Sequence, residues 1–246
     1  MRGGSALALH DGPGVRQWSA PGRRGWVVAV VGLLVAAVII AIVYGGPGAA
    51  PSVSSTNGSG VAVTDERDVA PFTIVELAGS NTVMIHVGAP RSVTVTGDDN
   101  LVGRVTTVVH DRRLVIDDSG SFTTNANMQV AVSVPSLTGV ELGGAGTMTV
   151  DGVASADFGA ELPGDGTLVV SGTVDQLTVV LAGTGTLDLH DVVAAHGSVQ
   201  LQGTGTIRVH ATSTLVASLT GTGTILYQGD PTVTIHNTGT GTVVAE

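Results

Sequence analysis

The 246-residue chain contains no cysteine and no lysine. The first absence removes disulfide frameworks and thiolate metal sites; the second removes any P-loop, which needs Gly-Lys-Ser/Thr. Only 12% of the residues are charged and 3% aromatic. Past Tyr44 the rings are Phe72, Phe122, Phe158 and Tyr227, with no tryptophan, so few are left to stack on a glycan. Basic charge is scarce and lopsided. Arg2, Arg16, Arg23 and Arg24 lie in the first 25 residues against Asp11 alone, and beyond them 19 acidic residues face six arginines. A chain this acidic lacks the basic patches on which non-specific nucleic-acid binding rests, so no nucleic acid is expected as a partner. HExxH, EF-hand, GxSxG and kinase signatures are missing as well.

What is present begins with one long apolar run, WVVAVVGLLVAAVIIAIVY at 26–44. At 1.5 Å per residue it reaches about 28 Å, close to the roughly 30 Å hydrocarbon layer of a bilayer. Trp26 and Tyr44 bracket it where interfacial rings are expected, and Arg23 and Arg24 precede it, which places the N-terminus in the cytoplasm and everything after Tyr44 outside. Ala49 and Ala50 would suit a cleaved signal peptide, but its apolar region usually spans only about 7–15 residues; an uncleaved single-pass anchor is the expectation. Residues 1–25 read as a disordered cytoplasmic segment, and 45–65, rich in Gly, Pro and Ser, as a flexible tether carrying a sequon at Asn57-Gly58-Ser59.

Glycine is abundant, at 36 residues, and it is punctual. Corners recur at Gly144 and Gly146, Gly164 and Gly166, Gly183 and Gly185, Gly203 and Gly205, Gly221 and Gly223, and Gly239 and Gly241, each pair followed by threonine. Their offsets of 20, 19, 20, 18 and 18 residues mark a solenoid with one coil per repeat. Strand alternation runs in phase with every corner. Met148 and Val150, Leu168 and Val170, Leu187 and Leu189, Ile207 and Val209, Ile225 and Tyr227, and Val243 and Ala245 are predicted to point inward, with Asp151, Ser171, His190, His210, Gln228 and Glu246 outward. Upstream of the corners, Phe158, Ala160 and Leu162, Leu177, Val179 and Leu181, and Leu215, Ala217 and Leu219 form a second inward set, so each coil carries a strand on either side of its corner. Glycine is expected there for its tolerance of positive φ. Residues 66–135 alternate less regularly and are expected to supply the opening coils and a cap that shields the apolar columns and the first strand edge.

Read across adjacent coils, this register sets Asp188 beside Arg208 and His190 beside His210, with Asp191 at the margin, the one compact ionisable patch. Asp188 and Arg208 read as an exposed cross-strand pair and the histidines as solvated strand residues. Two stacked imidazoles would give Zn²⁺ or Cu²⁺ only two of its usual three or four ligands, and a flat face does little to shift a pKa. Asp98, Asp99, Asp117 and Asp118 read as turn residues first, with Ca²⁺ ligation as the lesser alternative. No cofactor, catalytic residue or metal ligand is assigned.

Pro71-Phe72, VTVTGDDNLV at 93–102, RLVID at 113–117, VSVPSLTGVELGGAG at 132–146, the glycine corners and YQGDPTV at 227–233 together resemble the bacterial autotransporter adhesin head domain, also called the GIN domain, a domain of unknown function. The resemblance covers about 66–246. It implies a right-handed, single-chain parallel β-helix at the cell surface or in the periplasm. The family usually carries Gly-Ser-Gly corners, where this chain has Thr, Ala or Asp. The expected protein is therefore all-β, a β-solenoid of about 18–20 residues per coil spanning 66–246 behind one transmembrane helix in a bacterial membrane. Its expected role is a non-catalytic surface module that binds an extracellular protein or polysaccharide. The alternatives are an enzyme or binding protein of cell-wall or extracellular polysaccharide, using the His190–His210 patch, and an accessory of an envelope signalling system acting through residues 1–25.

Overall fold

A computed structural model describes residues 55–246. Residues 1–25, the expected anchor at 26–44 and its flanking Arg23, Arg24, Trp26 and Tyr44 lie outside the described residues. Among those described, no helix is long and apolar enough to cross a membrane. The strands in chain order are β1 Thr56–Asn57, β2 Ala62–Glu66, β3 Ile74–Leu77, β4 Thr82–Val87, β5 Ser92–Asp98, β6 Val105–His110, β7 Arg113–Asp118, β8 Phe122–Thr123 and β9 Gln129–Val134. They continue with β10 Gly139–Leu142, β11 Thr147–Leu162, β12 Thr167–Leu181, β13 Thr186–Leu201, β14 Thr206–Leu219, β15 Thr224–Gln228, β16 Thr232–Asn237 and β17 Thr242–Ala245. Part of the expected tether is thus strand: β2 pairs antiparallel with β5, and β1 pairs with β8 in a separate two-stranded ribbon.

From β11 to β14 each strand runs almost from corner to corner and pairs in parallel with the next, as a solenoid requires; the coil after β14 is split into β15 and β16, both parallel to β14, and β17 pairs with β15. Met148 lies opposite Leu168, Leu168 opposite Leu187, Leu187 opposite Ile207, and Ile207 opposite Ile225. Alternation buries each of these columns between two neighbours, so a single coil could not bury them alone. Of the twelve residues expected inward after the corners, nine are buried. Tyr227 and Val243 are partly buried and Ala245 is exposed, because no further described coil covers the last one.

The corner glycines are present for a different reason from the expected one. None of the twelve has positive φ; the glycines that do are Gly60, Gly88, Gly120, Gly152, Gly172 and Gly229. Stacking is what demands them. A Cβ on Gly203 would lie 1.8 Å from the carbonyl oxygen of Gly183, one coil earlier, and a Cβ on Gly205 would lie 2.0 Å from Gly185 O and 2.6 Å from Leu181 Cδ2. The second glycine of each corner thus makes room for an inward leucine of the preceding coil. In the last coil Asn237 takes the place of that leucine, and its side chain accepts from the Gly239 N–H (3.0 Å) and donates to Gly241 O (3.0 Å).

Coils of unequal length are reconciled by bulges at the end opposite the corners. Thr186 faces Thr206, an offset of 20, but His196 faces Thr214, an offset of 18; the register shifts between Leu189 and Val193 and again between Ala194 and His196. Each strand keeps the spacing of its own corner at the start and adopts that of the next by its end.

The opening coils do not stack in chain order. The arch made by β3 and β4 lies between the arch of β10 and β11 and that of β7 and β9, although β7 and β9 come later in the sequence. β5 then lies antiparallel on β9, β2 on β5, and β6 on β7. Residues 66–135 therefore provide both opening coils and an antiparallel cap, filled by Val93, Val95, Leu101 and Val105. An antiparallel layer changes the edge geometry and ends the parallel ladder at this end of the molecule.

Candidate functional site

Two surface features can be built from the register. The first is the predicted ionisable patch, which forms only in part. Asp188 and Arg208 are in register on β13 and β14, with Arg208 Nη1 3.6 Å from Asp188 Oδ2 and its Nε 3.6 Å from Glu246 Oε1. The Nδ1 of His190 is 2.7 Å from Asp188 Oδ1 and its Nε2 is 3.1 Å from Asp191 Oδ1. His210 does not join them. The bulge after Leu189 sets it opposite Val193 on one side and Gln228 on the other, so the expected pair of stacked imidazoles is corrected. Among the described residues no three His, Asp or Glu side chains group in a manner suited to a metal ion.

Both nitrogens of His190 face carboxylates, and the hydrogen bond to Asp188 raises its pKa above the usual 6.5, against a smaller opposing effect of burial. For Asp188 burial pushes upward, but the His190 hydrogen bonds and the His190 and Arg208 charges outweigh it and hold the carboxyl below its usual 3.8. A raised histidine pKa contributes stability that is present below about 6.5 and lost as pH rises through the folded value. We expect NMR titration of His190 to give a midpoint above 6.5 that falls in Asp188→Asn. Both groups are partly exposed to solvent, so the change in stability should stay within about 1 kcal/mol. The patch neutralises itself: its cations are taken up by its own carboxylates.

The second feature is a ridge of threonine along the corners. Thr82, Thr147, Thr167, Thr186, Thr206, Thr224 and Thr242 stand in one register column. Parallel pairing spaces them by about 4.8 Å. Beside this column, Thr184, Thr204, Thr222 and Thr240 occupy the corners themselves, aligned by ladder bonds such as Thr204 N–H to Gly183 O (3.2 Å) and Thr222 N–H to Gly203 O (3.0 Å). All four are exposed. A β-branched side chain has few rotamers, so the ridge offers hydroxyls and methyls at fixed intervals with little side-chain entropy to lose on contact. The corner spacing made this column readable in the sequence from Thr147 to Thr242, but not at Thr82. Two other groups were not readable. Asp98, expected as a turn residue, is a buried hub of the cap, and Arg113 bridges Glu76 and Glu141 across three strands.

The model of a family described as "Putative auto-transporter adhesin, head GIN domain" matches residues 71–231. Among solved structures, a "putative adhesin" from Bacteroides fragilis superposes with a TM-score of 0.64 at 21% identity, covering 78% of this chain and 100% of that one. A "putative adhesin" from Parabacteroides distasonis gives a TM-score of 0.50 at 21% identity, again over 78% and 100% of the two chains. At such identities the likeness speaks to the fold. Comparison with curated proteins returns no match.

Proposed function

From the premise that this chain belongs to the auto-transporter adhesin head GIN-domain family, we propose that it is a non-catalytic binding module of the cell envelope, tethered through residues 26–44, with its solenoid outside and an extracellular polysaccharide as ligand. The seven-threonine column from Thr82 to Thr242 carries this reading. A repeating array of hydroxyls suits a repeating ligand, because each added coil repeats the same contact and weak contacts sum along the polymer. Charge narrows the class: a chain with net charge −10 disfavours polyanions, and the ridge itself is nearly uncharged.

Cosedimentation of the full chain with insoluble neutral polysaccharides, kept in a detergent without a sugar headgroup, tests this. The wild-type chain should be depleted from solution. Thr186→Glu, Thr206→Glu and Thr224→Glu combined should weaken binding by roughly tenfold or more, since three buried contacts would be replaced by solvated charge. Depletion by extracellular proteins but by no polysaccharide would overturn the ligand class, and equal binding by the triple variant would remove the ridge from it.

A further inference from the structure

At the capped end of the threonine ridge the surface opens into two adjoining hollows that share Ser80 and Phe122. One, of 430 Å³, is lined by Asn81, Thr82, Phe122, Thr124, Asn127 and Gln129, among others. The other, of 410 Å³, is lined by the corner at Ala78 and Gly79, the corner at Gly144 and Ala145, and Asp118, among others. Thr82, the first member of the ridge column, therefore also lines the first hollow, so the two surfaces are continuous.

The chemistry of the lining is specific in kind. Phe122 belongs to the short ribbon of β1 and β8; it packs partly on the core and leaves part of its ring exposed. Asn81 is only 6% exposed. Its Nδ2 donates to Asp118 Oδ1 at 2.5 Å, and among the described residues no hydrogen bond is made through its Oδ1. Asn127 is exposed, and among the described residues its amide has no protein partner. The one charged residue lining either hollow, Asp118, is already occupied by the Ser80 N–H (3.0 Å), the Ser80 hydroxyl (3.3 Å) and Asn81. What remains is an aromatic face, amides and hydroxyls that can donate and accept, and one carboxylate held by neutral donors only. A side-chain amide that lines a hollow with its oxygen free can accept from a ligand hydroxyl.

We infer that the hollow beside Phe122 is a subsite for a neutral sugar ring, the place where one unit of the polymer is held individually. The inference rests on the reading of the chain as a polysaccharide-binding module. A pyranose brings an apolar C–H face for the phenyl ring and hydroxyls that both donate to Asn81 Oδ1 and accept from Asn127, and the volume lies in the range of small-ligand pockets. A uronate or sulfated sugar would bring a negative charge to a lining that holds the Asp118 carboxylate and no cation.

The test is binding of soluble neutral hexose and N-acetylhexosamine oligosaccharides to the full chain, with oligogalacturonate as the charged comparison. Phe122→Ala should weaken neutral-sugar binding roughly tenfold, the scale of a lost ring contact, while Phe122→Tyr retains it. Asn127→Ala, in an exposed loop where folding is not at stake, should weaken it several-fold. If both alanine variants bind like the wild type, the subsite is wrong although polymer binding stands. If no neutral oligosaccharide binds while the insoluble polymers still deplete the chain, the subsite is again wrong. If neither soluble nor insoluble polysaccharide binds, the functional reading fails with it.

Discussion

Gly203→Ala is expected to cost the fold about 3 kcal/mol or more, at or beyond the upper end of what overpacked side chains usually cost. The added carbon would lie 1.8 Å from the Gly183 carbonyl oxygen and 2.7 Å from that of Ala182. These are backbone atoms in mid-stack, with no rotamer to escape into. Relief requires the two coils to part by more than an ångström at the corner, where the Gly203 N–H reaches Leu181 O at 3.3 Å and the Thr204 N–H reaches Gly183 O at 3.2 Å. Parting them strands these polar groups as well as the leucine column beneath. Gly159→Ala supplies the contrast. It sits in the same sheet without positive φ, and nothing lies within 4 Å of the carbon it would gain. Replacing it should be neutral, or stabilising by up to about 1 kcal/mol through the lower entropy of the unfolded chain. Urea denaturation of the two variants measures the difference directly. A midpoint for Gly203→Ala close to that of Gly159→Ala would mean that the corners are not in contact from coil to coil.

This contrast also explains what was legible beforehand. The corners could be found because close backbone approach tolerates no side chain, and that constraint recurs once per coil, from Gly144 to Gly241. The inward columns followed from it, since a period of two measured from a fixed point leaves no choice of face. The reason first assigned to the glycines was wrong all the same: positive φ and backbone proximity select the same residue, and composition alone does not separate them. His210 was misplaced because the offset of 20 was carried past Leu189. The spacing of the next corner, 18, already required two residues to be absorbed within that coil; the bulge where His190 lies absorbs three, and the second shift, between Ala194 and His196, returns one. The opening arches were beyond reach for a different reason. Their corner at residues 78–81 reads Ala-Gly-Ser-Asn, and their order in space departs from their order in sequence, so no repeat points to them. Residues such as Asn81, Asp98 and Phe122 occur once, in the cap or beside it. A residue that serves one irregular junction has no counterpart a period away to give it away.

At such a junction Asp98 governs the cap, and Asp98→Ala is expected to loosen it at neutral pH. Its carboxylate, fully buried, accepts from the Thr124 hydroxyl (2.6 Å) and from the N–H groups of Gly60 (2.6 Å), Asn125 (3.0 Å) and Ala126 (3.1 Å). It thereby ties the turn between β1 and β2 and the loop after β8 to the end of β5. The Thr124 hydroxyl, followed by the three N–H donors, outweighs the cost of burial and holds the carboxyl down to about 2 from its ordinary 3.8. A depressed carboxylate pKa contributes stability that is fully present above the unfolded value and disappears as pH falls through the folded one. The thermal midpoints of wild type and Asp98→Ala should therefore differ by several degrees at pH 7 and converge as pH falls from about 4 toward 2. Hydrogen exchange locates the effect: the amides of Gly60, Asn125 and Ala126 should lose protection in the variant, while those of β12 and β13, far along the stack, keep theirs. Asp98→Asn separates charge from shape. Its oxygen can still accept from the Thr124 side, but its NH₂ would oppose the Gly60 N–H, so it should fall between the two and show no pH dependence of its own in that window. A gap between wild type and Asp98→Ala that stays constant down to pH 2 would show that the ionised carboxylate is not what holds the cap closed.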